Sequence, residues 1–104
     1  MKINVSDAVQ IEKYERALEE LNKSEQPNGK ASEVLKAQCN MVRRFFDTCF
    51  GEGSASKLFG DSYDYRVHYQ ALANLIQDAN NDLEQFSKEM AQNASKYSAN
   101  RTVR

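Results

Sequence analysis

Few side chains in this sequence are of the types that carry out chemistry. Its single histidine is His68, and its two cysteines are Cys39 and Cys49. A zinc site needs about four nitrogen, sulfur or carboxylate ligands at close spacing, and no C-x-x-C or H-x-x-x-H pair occurs. On one helix the two cysteine Cα atoms would lie about 15 Å apart, too far for a disulfide. We therefore interpret the cysteines as small buried side chains, and His68 as a histidine on a helix surface or in an interface.

The segment Gly51–Lys57 has the glycines and the lysine of a phosphate-binding loop. It lacks the G-x-x-x-x-G-K-[ST] spacing, it follows a helix instead of a strand, and it carries the negative Glu52. We interpret it as the end of one helix at Gly51, followed by a short helix that Ser54 caps. No catalytic residue, metal site or cofactor is predicted, and the chain is expected not to be an enzyme.

The charge balance limits the class of partner. The chain has 104 residues, of which 14 are basic and 15 acidic, for a net charge of -1. A general nucleic-acid binder needs a basic excess to displace counterions from phosphates, so the composition argues against nucleic acid. No stretch approaches the roughly 20 apolar residues of a membrane span, and residues 1–10 do not resemble a secretory signal. One domain in a cytoplasm, with no membrane partner, is expected.

Hydrophobic spacing predicts an all-α domain with three main helices, the last of them long, and a short helical turn before it. The first helix is expected from Ser6 or Asp7, either of which can cap it, to Lys23. The second is expected from Ser32 to Phe50. The short helical turn is expected between residues 53 and 60.

The last helix is expected to begin at its cap, Asp64, and to continue to about Tyr97. Its apolar residues alternate four and three positions apart: Leu72, Ile76, Ala79, Leu83, Phe86 and Met90. A helix of this length would measure roughly 50 Å, so one end should project from so small a core. The alternative is a break or a kink near Asn80-Asn81-Asp82, which are poor helix formers. Residues 1–97 are thus predicted as one domain and residues 98–104 as a disordered basic tail.

One stretch of the sequence resembles a known group of proteins. It runs through Gln38-Cys39, Phe45-Phe46-Asp47 and Phe50-Gly51-Glu52-Gly53 to Lys57 and Phe59-Gly60. Small phage and prophage proteins of Gram-positive bacteria carry a similar run, and they are similar to siphophage tail assembly chaperones. The resemblance covers about residues 31–60 and supplies no catalytic residues.

This resemblance implies a helical scaffold that binds the tape-measure protein while the phage tail tube forms. It also implies self-association, a location in the host cytoplasm and absence from the finished virion. Tyrosine carries a large apolar ring with a polar tip and is favoured at interfaces. The candidate partner-binding residues are Tyr63, Tyr65, Tyr69, Leu72, Leu75, Ile76, Leu83 and Phe86.

Two questions stay open at the level of sequence. The aliphatic candidates and Phe86 are suited either to the core or to a groove that receives an amphipathic helix of the partner. The alternative function is that of a small phage-encoded helical DNA-binding regulator. Such a protein would need a basic recognition helix, whereas the second helix is strongly apolar and the net charge is slightly negative.

Overall fold

The computed structural model describes the backbone of residues 1–102 and the side chains of residues 1–96. It contains α1 (Ala8–Lys23), α2 (Ala31–Phe50), α3 (Ser54–Phe59) and α4 (Tyr65–Thr102). No strand occurs in the described backbone, and the prediction of an all-α domain with a long last helix is confirmed. The molecule measures 70 × 25 × 20 Å. This elongated shape arises because α4 extends well beyond the packed helices.

Helices α1 and α2 form an antiparallel pair. Near the start of α1, the side-chain amide of Gln10 donates to the carbonyl oxygen of Cys49 at the end of α2, at 2.7 Å. One turn later, the ring of Tyr14 meets the edge of Phe45 with 6.2 Å between the ring centroids. The apolar faces predicted for the two helices therefore pack against each other.

Aspartate side chains cap α1 and α4 at the helix starts where the sequence predicted a cap. Oδ1 of Asp7 accepts from the backbone N–H of Val9 at 2.9 Å, and Oδ1 of Asp64 accepts from that of Arg66 at 2.9 Å. These bonds satisfy N–H groups that have no partner within the first helical turn. Asp7, and not Ser6, is thus the cap of α1.

The turn between α2 and α3 depends on two glycines and one carboxylate. Gly51 ends α2 with φ of 106°, and Gly53 precedes α3 with φ of 90°, where a side chain would be strained. The prediction that Ser54 caps α3 is wrong, since its hydroxyl donates to the carbonyl oxygen of Gly51 at 2.7 Å. Asp47 takes that role from α2, and its Oδ1 accepts from the N–H of Ala55 at 2.9 Å.

Phe46 lies at the centre of an aromatic core. Its side chain is 2 % exposed. Its ring centroid lies 5.8 Å from that of Phe45, 6.2 Å from that of Phe50 and 5.5 Å from that of Phe59. The ring thereby joins α2 to α3. The wider core consists of Ile3, Tyr14, Ala17, Val42, Phe45, Cys49, Ala55, Leu72, Leu75 and Ala79.

Both cysteines are buried free thiols, as predicted. Burial raises the pKa of the Cys49 thiol to about 12. A cysteine in an unfolded chain ionises near pH 8.5, so the folded state disfavours the thiolate that the unfolded state accepts. This contribution to stability is fully present below about pH 8.5 and is lost as the pH rises toward 12.

We accordingly expect the melting temperature to fall between about pH 8.5 and pH 10.5, more steeply in the wild type than in Cys49→Ala. The alanine variant lacks the thiol whose ionisation drives the loss, although it starts from a lower stability. Thermal unfolding followed by circular dichroism at several pH values measures both slopes. Equal slopes in the two proteins would contradict the expectation.

The hydroxyl of Tyr14 is buried with no hydrogen-bond partner in the described part of the chain, and desolvation raises its pKa. Because an unpaired buried polar group is costly, we expect Tyr14→Phe to keep or raise stability, by up to about 1 kcal/mol. Urea denaturation measures the change. Tyr14→Ala is the control: it also removes the ring packed on Phe45, and it should cost about 3 kcal/mol or more. A loss above about 1 kcal/mol in Tyr14→Phe would show that the hydroxyl is satisfied in solution.

Helix α4 runs without a break from Tyr65 to Thr102, so Asn80-Asn81-Asp82 do not interrupt it and the alternative of a break there is wrong. Its 38 residues correspond to about 57 Å. The helix passes the predicted end at Tyr97, but residues 103–104 and all side chains from 97 onward lie outside the described part. The predicted disorder of the tail stays a prediction. None of the described helices combines the length and apolar character needed to cross a membrane.

Candidate protein-binding surface

A single arginine of α2 holds the start of α4 in place. Nη2 of Arg43 donates to the carbonyl oxygens of Gly60 at 2.7 Å and Ser62 at 2.6 Å. Nε of Arg43 donates to Nε2 of His68 at 3.1 Å. The flat guanidinium fork can make these bonds together because its donors point in fixed directions. Arg43 therefore fixes both the loop between α3 and α4 and the first turns of α4.

The interpretation of His68 as a surface or interface histidine is wrong, because its side chain is 0 % exposed. Its ring stacks on that of Phe59, with centroids 4.0 Å apart and planes 14° apart. Since Nε2 accepts from Arg43, the proton resides on Nδ1, which donates to the carbonyl oxygen of Asp64 at 2.7 Å. Both ring nitrogens are thus used within the protein, and neither is presented to a substrate.

Tyr63 lies on the protein surface close to two cations. The guanidinium of Arg43 is 4.7 Å from its ring centroid, and the ammonium of Lys36 is 5.5 Å from it. Cations at these distances are attracted to the face of the ring. The side chain nevertheless remains 44 % exposed. Together with Leu35 and other residues of α2 it lines an open groove of ≈ 360 Å³.

Two further tyrosines follow on the first turns of α4. The rings of Tyr65 and Tyr69 stack, with centroids 5.7 Å apart and planes 20° apart. Their side chains are 36 % and 54 % exposed. We call Tyr63, Tyr65 and Tyr69 the tyrosine surface. Tyrosines of this kind offer large rigid contact areas with a polar end, which suits them to protein interfaces.

The eight predicted partner-binding residues do not form one surface. Beside the three exposed tyrosines, Leu72 and Leu75 lie in the core, and Ile76 is partly buried against it. Leu83 and Phe86 are half-buried on the projecting part of α4. The question of groove or core therefore has two answers along α4. Leu72, Leu75 and Ile76 pack inside the domain, whereas Leu83 and Phe86 lie beyond it.

Sequence reasoning missed Arg43, the residue that positions Tyr63. The adjacent pair Arg43-Arg44 is the tightest basic spot in the sequence, and a pair of arginines is typical of a solvent-exposed surface. The position of Arg43 on its helix could have indicated its role. Arg43 lies four residues after Cys39 and three before Phe46, on the face of α2 that both buried residues share.

Charged side chains form few contacts elsewhere. The described salt bridges are Lys23–Glu19 at 2.9 Å and Lys88–Glu84 at 4.0 Å. Both join exposed residues one turn apart, where such pairs contribute little stability. Among the described side chains, no group of three or more histidine, cysteine, aspartate or glutamate residues is placed to hold a metal ion.

Comparison with known proteins identifies the family of the chain. It belongs to a family of unknown function, DUF6673, whose sequence profile matches residues 1–104. No curated protein and no solved structure matches it.

Proposed function

We propose that this member of the DUF6673 family is a phage tail assembly chaperone that binds the tape-measure protein without catalysis. The observation that carries the proposal is the tyrosine surface, in which three exposed aromatic side chains lie within seven residues of each other. The resemblance of residues 31–60 to proteins similar to tail assembly chaperones supports the choice of partner. The elongated shape of the molecule, 70 Å long, suits a scaffold that lies along a long partner.

The stacked pair Tyr65 and Tyr69 fits one helical face of a partner. Tyr65 and Tyr69 are one turn apart on α4, and an amphipathic helix presents its own apolar side chains at the same spacing. Lys36 lies beside Tyr63 and Glu33 lines the same groove, so a partner segment that carries both an acidic and a basic residue next to its apolar face would be favoured. A coiled tape-measure protein offers helices of this kind before the tail tube encloses it.

The proposal also places the chain in the assembly process. A chaperone of this type acts in the host cytoplasm, where it keeps the tape-measure protein soluble. It associates with further copies of itself on that protein and is absent from the finished virion.

Co-expression with the tape-measure protein tests the proposal. We expect the tape-measure protein to precipitate when produced alone and to form a soluble complex with this chain, which pull-down and light scattering detect. The double variant Tyr65→Ser, Tyr69→Ser should weaken binding at least about tenfold, because aromatic residues carry much of the energy of such interfaces.

The control for that variant is Val9→Ser. Val9 is 58 % exposed on α1, so its replacement also removes exposed apolar area but leaves the tyrosine surface intact. Failure to form a complex would contradict the proposal. Salt-dependent binding to DNA by the same preparation would favour the DNA-binding regulator instead.

A further inference from the structure

Helix α4 leaves the core after Ala79, less than halfway along its length. Among the described side chains of α4, Ala79 is the last buried one, at 2 % exposure, and Ile76 is the last partly buried hydrophobic one that packs on the core. Every residue from Ser87 to Lys96 is exposed. We call residues 80–102 the outer half of α4. The outer half contains several poor helix formers, so packing against a partner would stabilise it.

The apolar stripe of α4 continues onto the outer half. Positions that alternate by four and three residues stay on one face of a helix. The positions that pack inside the domain are therefore followed, on the same face, by Leu83, Phe86 and Met90. Leu83 and Phe86 are half-buried, and Met90 is 50 % exposed. The face that the core buries in the first half of α4 is apolar but only partly buried in the second.

We propose that a second copy of this chain covers that face, with the outer halves of the two α4 helices packed antiparallel. The packed helices of each copy lie on the stripe side of α4 as far as Ala79. A parallel arrangement would bring both cores to the same height on the same side, where they would collide. An antiparallel arrangement places the cores at opposite ends and covers each outer half with the other.

The charges beside the stripe are self-complementary in this arrangement. Glu89 and Lys96 lie seven residues apart, and therefore on the same edge of the stripe. When Met90 packs beside Asn93 of the second copy, Glu89 faces Lys96 of the second copy, and the two-fold axis creates the pair twice. Both side chains are exposed in a single copy, and neither takes part in the salt bridges described within it.

This inference rests on the proposed function only for the expectation of self-association, to which it assigns a surface. It concerns the outer half of α4, whereas the tyrosine surface lies at the other end of the helix. It also requires no tape-measure protein, so the two proposals can fail separately.

The test uses the purified full chain alone, with sedimentation equilibrium over a range of concentrations. We expect a monomer–dimer equilibrium, and a longest dimension of about 110 Å by X-ray scattering for the dimer, because the outer halves overlap by about 30 Å.

Met90→Glu should weaken dimerisation at least about thirtyfold, since it buries a charge in the apolar seam. Met90 is half exposed in one copy, so the fold should survive, as circular dichroism would verify. The control Gln92→Glu changes an exposed residue off the stripe and should leave the dimer intact.

Charge exchange tests the antiparallel alignment. Glu89→Lys and Lys96→Glu should each weaken the dimer by about tenfold, because each places like charges opposite each other. The double variant should restore the wild-type affinity. Restoration is not expected in a parallel dimer, where these two residues do not face each other.

Three outcomes would overturn the inference. They are a strict monomer at about 100 µM, a dimer that Met90→Glu leaves unchanged, and a double charge variant that is not restored. A monomer whose tape-measure binding depends on Met90 would assign this face to the partner instead, and would leave the proposed function standing. A dimer that does not bind the tape-measure protein would overturn the proposed function and leave this inference standing.

Discussion

Replacement of Phe46 by alanine is expected to lower the free energy of unfolding by about 3–5 kcal/mol. The side chain is 2 % exposed, and its ring contacts Phe45, Phe50 and Phe59 at centroid distances of 5.5 to 6.2 Å. Truncation would remove the apolar area of a whole ring and leave a cavity between α2 and α3 that the rigid glycine turn cannot close. Urea denaturation followed by circular dichroism at 222 nm measures the loss.

Two variants separate the cavity from other effects. Phe46→Leu keeps most of the volume and should cost no more than about 1.5 kcal/mol. Phe50→Ala removes the same ring from a half-buried position, and it should cost less than Phe46→Ala because water fills part of the space. A domain of this size has about 5–15 kcal/mol in total, so Phe46→Ala would consume a large share of it. If Phe50→Ala cost as much as Phe46→Ala, the centre of the core would lie elsewhere.

Local patterns were enough to predict the helices. The four-and-three spacing of apolar residues identified the long last helix, and the aspartates at positions 7 and 64 marked two helix starts through bonds to N–H groups two residues away. Gly51 marked the end of α2, where φ is 106°. Such signals act within one or two turns of the chain, which is why they can be read from sequence.

The candidate surface was harder to predict because its geometry depends on contacts between distant residues. Arg43 and His68 are 25 residues apart in sequence, and only the packing of α4 on α2 brings them together. A polar pair of this kind looks like two surface residues until the fold is known. The same holds for Leu72 and Leu75: periodicity identifies their face but not the point at which the neighbouring helices end. The sequence therefore could not show that Leu72 and Leu75 are buried in the core while the tyrosines before them are exposed. It was equally compatible with one long groove that contained all of them.

Replacement of Arg43 by methionine is expected to lower the free energy of unfolding by about 2–4 kcal/mol. Methionine keeps an unbranched stem, so the loss reports mainly on the hydrogen bonds. Without the guanidinium, Nε2 of His68 becomes an unpaired acceptor at a site with 0 % exposure. The carbonyl oxygens of Gly60 and Ser62 also lose their donor. Water can reach the exposed carbonyl oxygen of Gly60 and offset part of that cost.

A double-mutant cycle with His68→Phe isolates the contact between the two side chains. Phenylalanine can keep the stack on Phe59, whose centroid lies 4.0 Å from that of the imidazole, and it removes the acceptor that Arg43→Met would strand. We therefore expect the double variant to be less destabilised than the sum of the single variants, by about 1–2 kcal/mol. Arg43→Lys is the matched control: it keeps the charge but cannot reach three acceptors at once, so it should lose most of what Arg43→Met loses. If Arg43→Lys were as stable as the wild type, charge alone would hold the loop between α3 and α4. If the effects of Arg43→Met and His68→Phe were strictly additive, the Arg43–His68 bond would contribute nothing to folding.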